Sequence, residues 1–475
     1  PVTLHSVYSS SLPLKADKYL LTHLYGAWAR EAQVDHTLLT HGSKSIESTR
    51  EVRTTHTENP AFLLTLNSDS FSETCGAVIA GALAWSGNFR LNFEVDEFDV
   101  LTVLAGANPN ASEYRLRPGE TFTTPEMIYT HSFCGAGGAS RNLHDWARNY
   151  GVWHGHTYAP TLLNSWEGAY FTFDAKTLTD MIDDAADMGL EMFVLDDGWF
   201  GNKYPRNDAN AGLGDWQINA KKLPEGIDHI ASYAHSKGLK FGIWIEPEMV
   251  NPDSDVARAH PDWVLRPTAN RLPMQGRSQQ VLDLTNPDAY RYIHDSIDAL
   301  VGELGIDYIK WDHNKFVTEA VSPRTGRPAV HGQTLAVYRM FRDLEVAHPG
   351  LEIESCASGG GRIDLGILEF ASRVWTSDCV DPVERADIQR YTSLLVPPCM
   401  MGEHVGASPA HSTHRATSQE MRMAMAFFGH MGVEWNLLKE SDEALNKLGE
   451  WVAECKRHRA WFAIDTCVHA DIADP

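Results

Sequence analysis

Carboxylates and indoles recur side by side at separated points of the 475-residue chain. They are Trp166; Asp196, Asp197 and Trp199; Trp244, Glu246 and Glu248; Trp311 and Asp312, with Lys310 and Asn314; and Trp375, Asp378 and Asp381. Cys356 and a run of three glycines, 359–361, lie between the last two groups. The mixture suits a sugar, because an indole face stacks on the apolar C–H face of a pyranose while carboxylates accept its hydroxyl hydrogens. Two carboxylates could also cleave a glycosidic bond, one as nucleophile and one as acid/base, about 5–5.5 Å apart in a retaining enzyme. Each group also has a plainer reading. Asp196-Asp197-Gly198 is a turn sequence, and Glu246-Pro247-Glu248 could be a solvated strand end. The glycine run could be a flexible connector or an anion nest, with Arg362 as its only adjacent cation. A single Trp is more often core than platform. What resists the plainer readings is recurrence: an ionised Asp at the end of an apolar run is costly to bury unless paired or used, and this happens at Asp196/Asp197, at Asp312 and at Asp378.

The surrounding pattern says what must hold these residues. From Thr161 onward, short apolar runs alternate with amphipathic stretches. The strand candidates are 161–166, 191–199, 240–248, 307–314, 351–356, 372–378, a less regular 394–405 and 431–437. Between them, segments such as 175–189 and 288–305 repeat apolar residues at three- and four-residue spacing, the helical period. Eight such repeats predict an α/β fold of the closed (β/α)8 barrel type, a TIM barrel over 161–460, whose strand C-termini converge on one rim. The competing open sheet loses its nucleotide-binding versions, since neither GxGxxG after the first strand nor GxxxxGK[ST] occurs. Before residue 140 the runs 61–66, 76–85, 89–98 and 122–133 predict an all-β sandwich over 1–140, joined to the barrel by a helical linker over 141–160.

Composition narrows the partners. With 40 Lys+Arg against 63 Asp+Glu, the net charge of −23 repels nucleic acid and anionic membranes, and no basic run offsets it. No apolar stretch approaches the roughly 20 residues a spanning helix requires. Seven scattered cysteines without a CxxC pair point to free thiols and a cytoplasmic setting; the chain opens on Pro1, without a signal-peptide pattern. The densest histidine groups, His154/His156 and His411/His414, lack HExxH spacing, so no metal or other cofactor is expected.

Five blocks, LDDGWFG (195–201), WIEPEMV (244–250), KWDHN (310–314), CASGGGR (356–362) and WTSDCVD (375–381), resemble in collinear order the signatures of glycoside hydrolase family 36, the melibiase-type α-galactosidases. LYGAWAREAQ (24–33) and THTENPAF (55–62) are similar to that family's N-terminal sandwich. The resemblance implies a retaining α-galactosidase acting on oligosaccharides such as melibiose and raffinose, with Asp312 as nucleophile and Asp378 as acid/base; Asp381 is the alternative acid/base. It implies that Asp196 and Asp197 bind the 4- and 6-hydroxyls of galactose, and that Trp166, Trp244, Arg277, Lys310, Asn314, Cys356 and Gly359 line the same subsite. Lys310, two residues before Asp312, is expected to keep the nucleophile ionised. It implies, further, a homo-oligomer, tetrameric in relatives, in which a neighbour's N-terminal loop walls the site. Family members carry a second β-sandwich after the barrel, which is expected to be absent here. α-N-acetylgalactosaminidase activity, galactosyl transfer and a non-catalytic sugar-binding protein are the alternatives on this scaffold.

Overall fold

A computed structural model describes residues 1–49, 53–110, 113–151, 158–268 and 270–469. The N-terminal part forms two main antiparallel sheets. One has five strands in the spatial order Glu126–Ser132, Ala77–Ala84, Ala61–Leu66, Tyr19–Ala27, Arg30–Leu38; the other has four, Ser10–Lys15, Val100–Ala107, Phe89–Val95, Gly42–Glu47. Alternation sets the packing: Phe89, Leu91, Phe93 and Val95 point inward, and meet Leu21, Phe62, Leu64 and Leu83 from the facing sheet. This is a sandwich with its own apolar core.

The next part closes into an eight-stranded parallel barrel. Its strands, first to eighth, are Leu162–Asn164, Met192–Leu195, Lys240–Ile245, Tyr308–Trp311, Glu352–Ser355, Arg373–Trp375, Met401–Gly406 and His430–Glu434, and the last pairs with the first. Each lies in or overlaps one of the eight predicted runs. The seventh is much shorter than predicted, because Pro397 and Pro398 cannot donate to a ladder; the chain turns there and pairs only from Met401. Helices cover the outside, and their ends follow local chemistry. Asp174 caps Ala175–Asp187 by accepting from the Thr177 N–H. Pro287–Leu304 is capped by Asn286 and stops at Gly305, in the left-handed region at φ 66°. The helix before the barrel, Gly135–Trp146, starts earlier than predicted and continues as a π turn to Gly151; part of the expected linker, including His154 and His156, lies outside the described residues.

Sandwich and barrel are joined by polar contacts around residues 356–364. Asp364, buried, accepts from Thr54 Oγ1 (2.6 Å) and Ser86 Oγ (2.8 Å) of the sandwich. Thr55 donates its N–H to the Gly361 carbonyl (3.0 Å) and its hydroxyl to the Gly360 carbonyl. The sandwich thus leans on the loop after the fifth strand. Among the described residues no helix is long and apolar enough to cross a membrane.

Candidate active site

Asp196 and Asp197 follow the second strand directly and are 3% and 2% exposed, which requires partners for both charges. Asp196 receives Asn164 Nδ2 from the first strand (2.8 Å) and Lys310 Nζ from the fourth (3.0 Å). Asp197 forms a two-point pair with buried Arg206, Nε at 2.9 Å and Nη2 at 2.8 Å. Gly198, at φ 115°, makes the turn. The Asp-Asp-Gly sequence is therefore both a turn and a buried, fully paired polar cluster at the strand ends.

Asp312 ends the fourth strand. Its Oδ1 accepts the N–H of His313 (2.8 Å) and of Ser358 (3.1 Å); its Oδ2 accepts Trp244 Nε1 (3.3 Å) and the Asn314 side-chain amide. Burial pushes this carboxyl up, but the Arg277 guanidinium, the Lys310 ammonium and the Ser358 and Asn314 donors outweigh it and hold it below the ordinary aspartate value. Lys310 is only one of these influences, since its direct ion pair is with Asp196 and Arg277 acts more strongly on Asp312.

Asp378, beyond the sixth strand, has the opposite balance. Burial and the negative charge of Asp312 raise its pKa, and Glu31 adds to the rise; Lys310 and the Trp28 indole donor oppose it. Trp375 Nε1 reaches Oδ1 at 2.9 Å, and Trp28 Nε1, from the sandwich, reaches Oδ2 at 2.8 Å. Between the two carboxylates runs the turn after the fifth strand. Its Ser358 N–H serves Asp312, while Gly359, at φ 78°, lies so close that a Cβ there would sit 2.7 Å from the Asp378 nitrogen. Cys356 is buried in the same wall; burial, then the charge of Asp312, push its thiol pKa far up, so it presents a neutral S–H. Trp166 lies just beyond the first strand, partly exposed and edge-on to Tyr170 and Phe171.

The other candidates take structural places. Asp381 is fully buried and spent: it caps the helix Pro382–Thr392 through the Val383 N–H (3.0 Å) and pairs with Arg415 (2.7 Å). Glu246 and Glu248 are both 0% exposed, which corrects the solvated-strand-end reading. Glu248 pairs with Arg362 (2.9 Å) and accepts from Trp311 Nε1 (3.0 Å). Glu246 accepts the Asn314 N–H (2.6 Å) and Gln279 Nε2 (2.7 Å); burial, then Asp312, push it up to about 8. Arg362 is therefore not an anion ligand, and residues 359–361 are packed against backbone rather than flexible. Trp199 and Trp311 are core residues with no exposure. Sequence reading missed Asn164, Arg206, Ser358, Trp28 and Glu31. Ser358 lies inside CASGGGR, and Trp28 and Glu31 inside LYGAWAREAQ, without a role of their own, and Arg206 could have been sought because a buried Asp pair demands a cation. Among the described residues no group of three His, Cys, Asp or Glu side chains could hold a metal.

Two family models cover the chain: Melibiase over residues 121–465 and the glycosyl hydrolase family 36 N-terminal domain over residues 1–117. The chain belongs to the melibiase family. Its similarity to family relatives extends over nearly all its length. It is 36% identical over 459 residues to the bifunctional alpha-galactosidase/sucrose kinase AgaSK of Mediterraneibacter gnavus, covering 96% of this chain and 48% of AgaSK. It is 37% identical over 452 residues to alpha-galactosidase AgaA of Geobacillus stearothermophilus, covering 94% of this chain and 61% of AgaA. The fold matches a crystal structure of an AgaA variant in complex with raffinose at a TM-score of 0.93, with 36% identity, over 98% of this chain and 64% of that one. The chain thus spans about half to three fifths of the length of these curated melibiase relatives.

Proposed function

We propose that the protein is a retaining α-galactosidase that removes terminal α-linked galactose from raffinose-type oligosaccharides. The observation that carries this reading is two buried carboxyls in opposed surroundings: Arg277, Lys310 and N–H donors outweigh burial and hold Asp312 below the ordinary aspartate value, while burial and the charge of Asp312 raise Asp378 above it. In this mechanism the Asp312 carboxylate attacks the anomeric carbon while Asp378 protonates the departing glycosidic oxygen, giving a β-linked galactosyl-enzyme. Asp378, now ionised, deprotonates the water that releases α-galactose. Asp196 and Asp197 accept from the ring hydroxyls, Lys310 donates to a hydroxyl oxygen, Trp166 and Trp244 cover the apolar face of the ring, and Arg277, Asn314, Cys356 and Gly359 complete the wall. AgaA structures with raffinose and stachyose motivate the substrate class.

Incubation with an α-nitrophenyl galactoside, followed by proton NMR, tests this: α-galactose is the expected first product, and initial β-galactose contradicts retention. Asp312→Ala is expected to lower turnover by several orders of magnitude, and near-native activity removes Asp312 as nucleophile. All seven cysteines are free, which supports a cytoplasmic setting as part of the same reading. Homo-oligomer formation belongs to it too, on the family resemblance, and sedimentation of the full-length protein checks it.

A further inference from the structure

We propose that Glu31, a residue of the N-terminal sandwich, is a positioning residue for Asp378: its carboxylate ties together the two backbone segments that hold the acid/base. The proposal rests on the reading of Asp378 as acid/base.

Glu31 lies at the start of the strand Arg30–Leu38, yet it is only 2% exposed, because its side chain enters the barrel rim. Its Oε1 accepts the Gly360 N–H (3.2 Å), with His56 Nε2 3.3 Å away. Its Oε2 accepts the hydroxyl of Ser377, the residue immediately before Asp378. Ser377 Oγ in turn accepts the N–H of Cys379 (3.0 Å), the residue immediately after it. One carboxylate thereby reaches both sides of Asp378 and the glycine turn packed against it. Contact is close: a Cβ on Gly359 would lie 2.7 Å both from Glu31 Oε1 and from the Asp378 nitrogen. On the opposite side Arg385 donates to the carbonyls of Ser377 and Cys379, so the segment is held from the helix layer and from the sandwich together.

Two features argue that this arrangement is more than packing. Serving divergent N–H and O–H donors takes two acceptor oxygens, and a buried carboxylate is tolerated only with such partners. The backbone around Glu31 is also strained, with Ala29 at φ 58° and Ala32 at φ 53°, a cost that persists where surrounding structure dictates the conformation. A general acid needs its proton aimed at the leaving oxygen, and misplacement by about 1 Å can cost on the order of 100-fold.

Leaving-group dependence in the full-length protein tests the role, since an acid matters little when the leaving group departs unaided. kcat/KM is measured for α-galactosides from dinitrophenyl through phenyl to methyl, with E31A, E31Q, S377A and D378A. E31A is expected to lose roughly 10- to 100-fold on the methyl galactoside and less than about threefold on the dinitrophenyl one. S377A steepens the series in the same direction. E31Q keeps one acceptor but turns an amide NH2 donor towards the other partner, so it recovers only part of the loss. A uniform loss across the series with E31A, or no loss, overturns the proposal while a steep D378A series leaves the acid/base reading intact. A D378A series as flat as the wild type overturns both.

Discussion

At the scale of single residues, the pocket separates its carboxylates by what surrounds each of them. Asp312 feels two cations and accepts from four N–H donors, whereas Asp378 accepts from two indoles and feels the negative charges of Asp312 and Glu31 against the single cation Lys310. The proposed chemistry needs this split, and its pH dependence follows from the signs. Activity appears as Asp312 ionises, below the ordinary aspartate pKa, and is lost as Asp378 gives up its proton, above it. Trp28 offers a direct probe. Its N–H stabilises the charged form of Asp378, so Trp28→Phe removes a lowering influence and raises that pKa. The alkaline limb of kcat/KM is expected to move to higher pH in W28F; an unmoved or lowered limb contradicts the role assigned to this hydrogen bond.

Among the elements, the turn after the fifth strand matters most, because it touches both catalytic candidates. Ser358 serves Asp312, and Gly359 backs onto Asp378 at a positive φ with no room for a side chain. Gly359→Ala combines left-handed strain of about 1–3 kcal/mol with a clash against backbone. The expected outcome is lower stability in denaturant unfolding together with at least about a tenfold fall in kcat/KM. Full stability with full activity would mean that the turn relaxes freely. The eight strands were legible because apolar runs buried on both faces announce themselves locally. Their ends were less so, as the seventh shows, where a proline pair within an apolar run delays pairing to Met401.

For the whole molecule, the central fact is that the sandwich helps to build the barrel's site. Asp364 is one polar joint, holding Thr54 and Ser86 across the two parts. Replacing both donors, Thr54→Val with Ser86→Ala, leaves a buried carboxyl short of partners, and unfolding free energy is expected to fall by about 1–3 kcal/mol. Unchanged stability would show that Asp364 does not carry the joint. Trp28 and Glu31 reach the site across sequence separations of 350 and 346 positions, to Asp378 and Ser377. No local pattern records such contacts, and in the sequence these two read only as parts of the LYGAWAREAQ block of the sandwich, with no link to the barrel. The sequence by itself determined the barrel and the sandwich, because periodicity acts over short stretches of chain, and its resemblance to family 36 singled out Asp196, Asp197, Asp312 and Asp378 among the rim carboxylates. Only the tertiary structure decided which carboxyl is pushed up and which down in pKa, which of the glutamates and tryptophans are core, and that the N-terminal sandwich supplies Trp28 and Glu31, because partners distant in sequence set the field and geometry at each group.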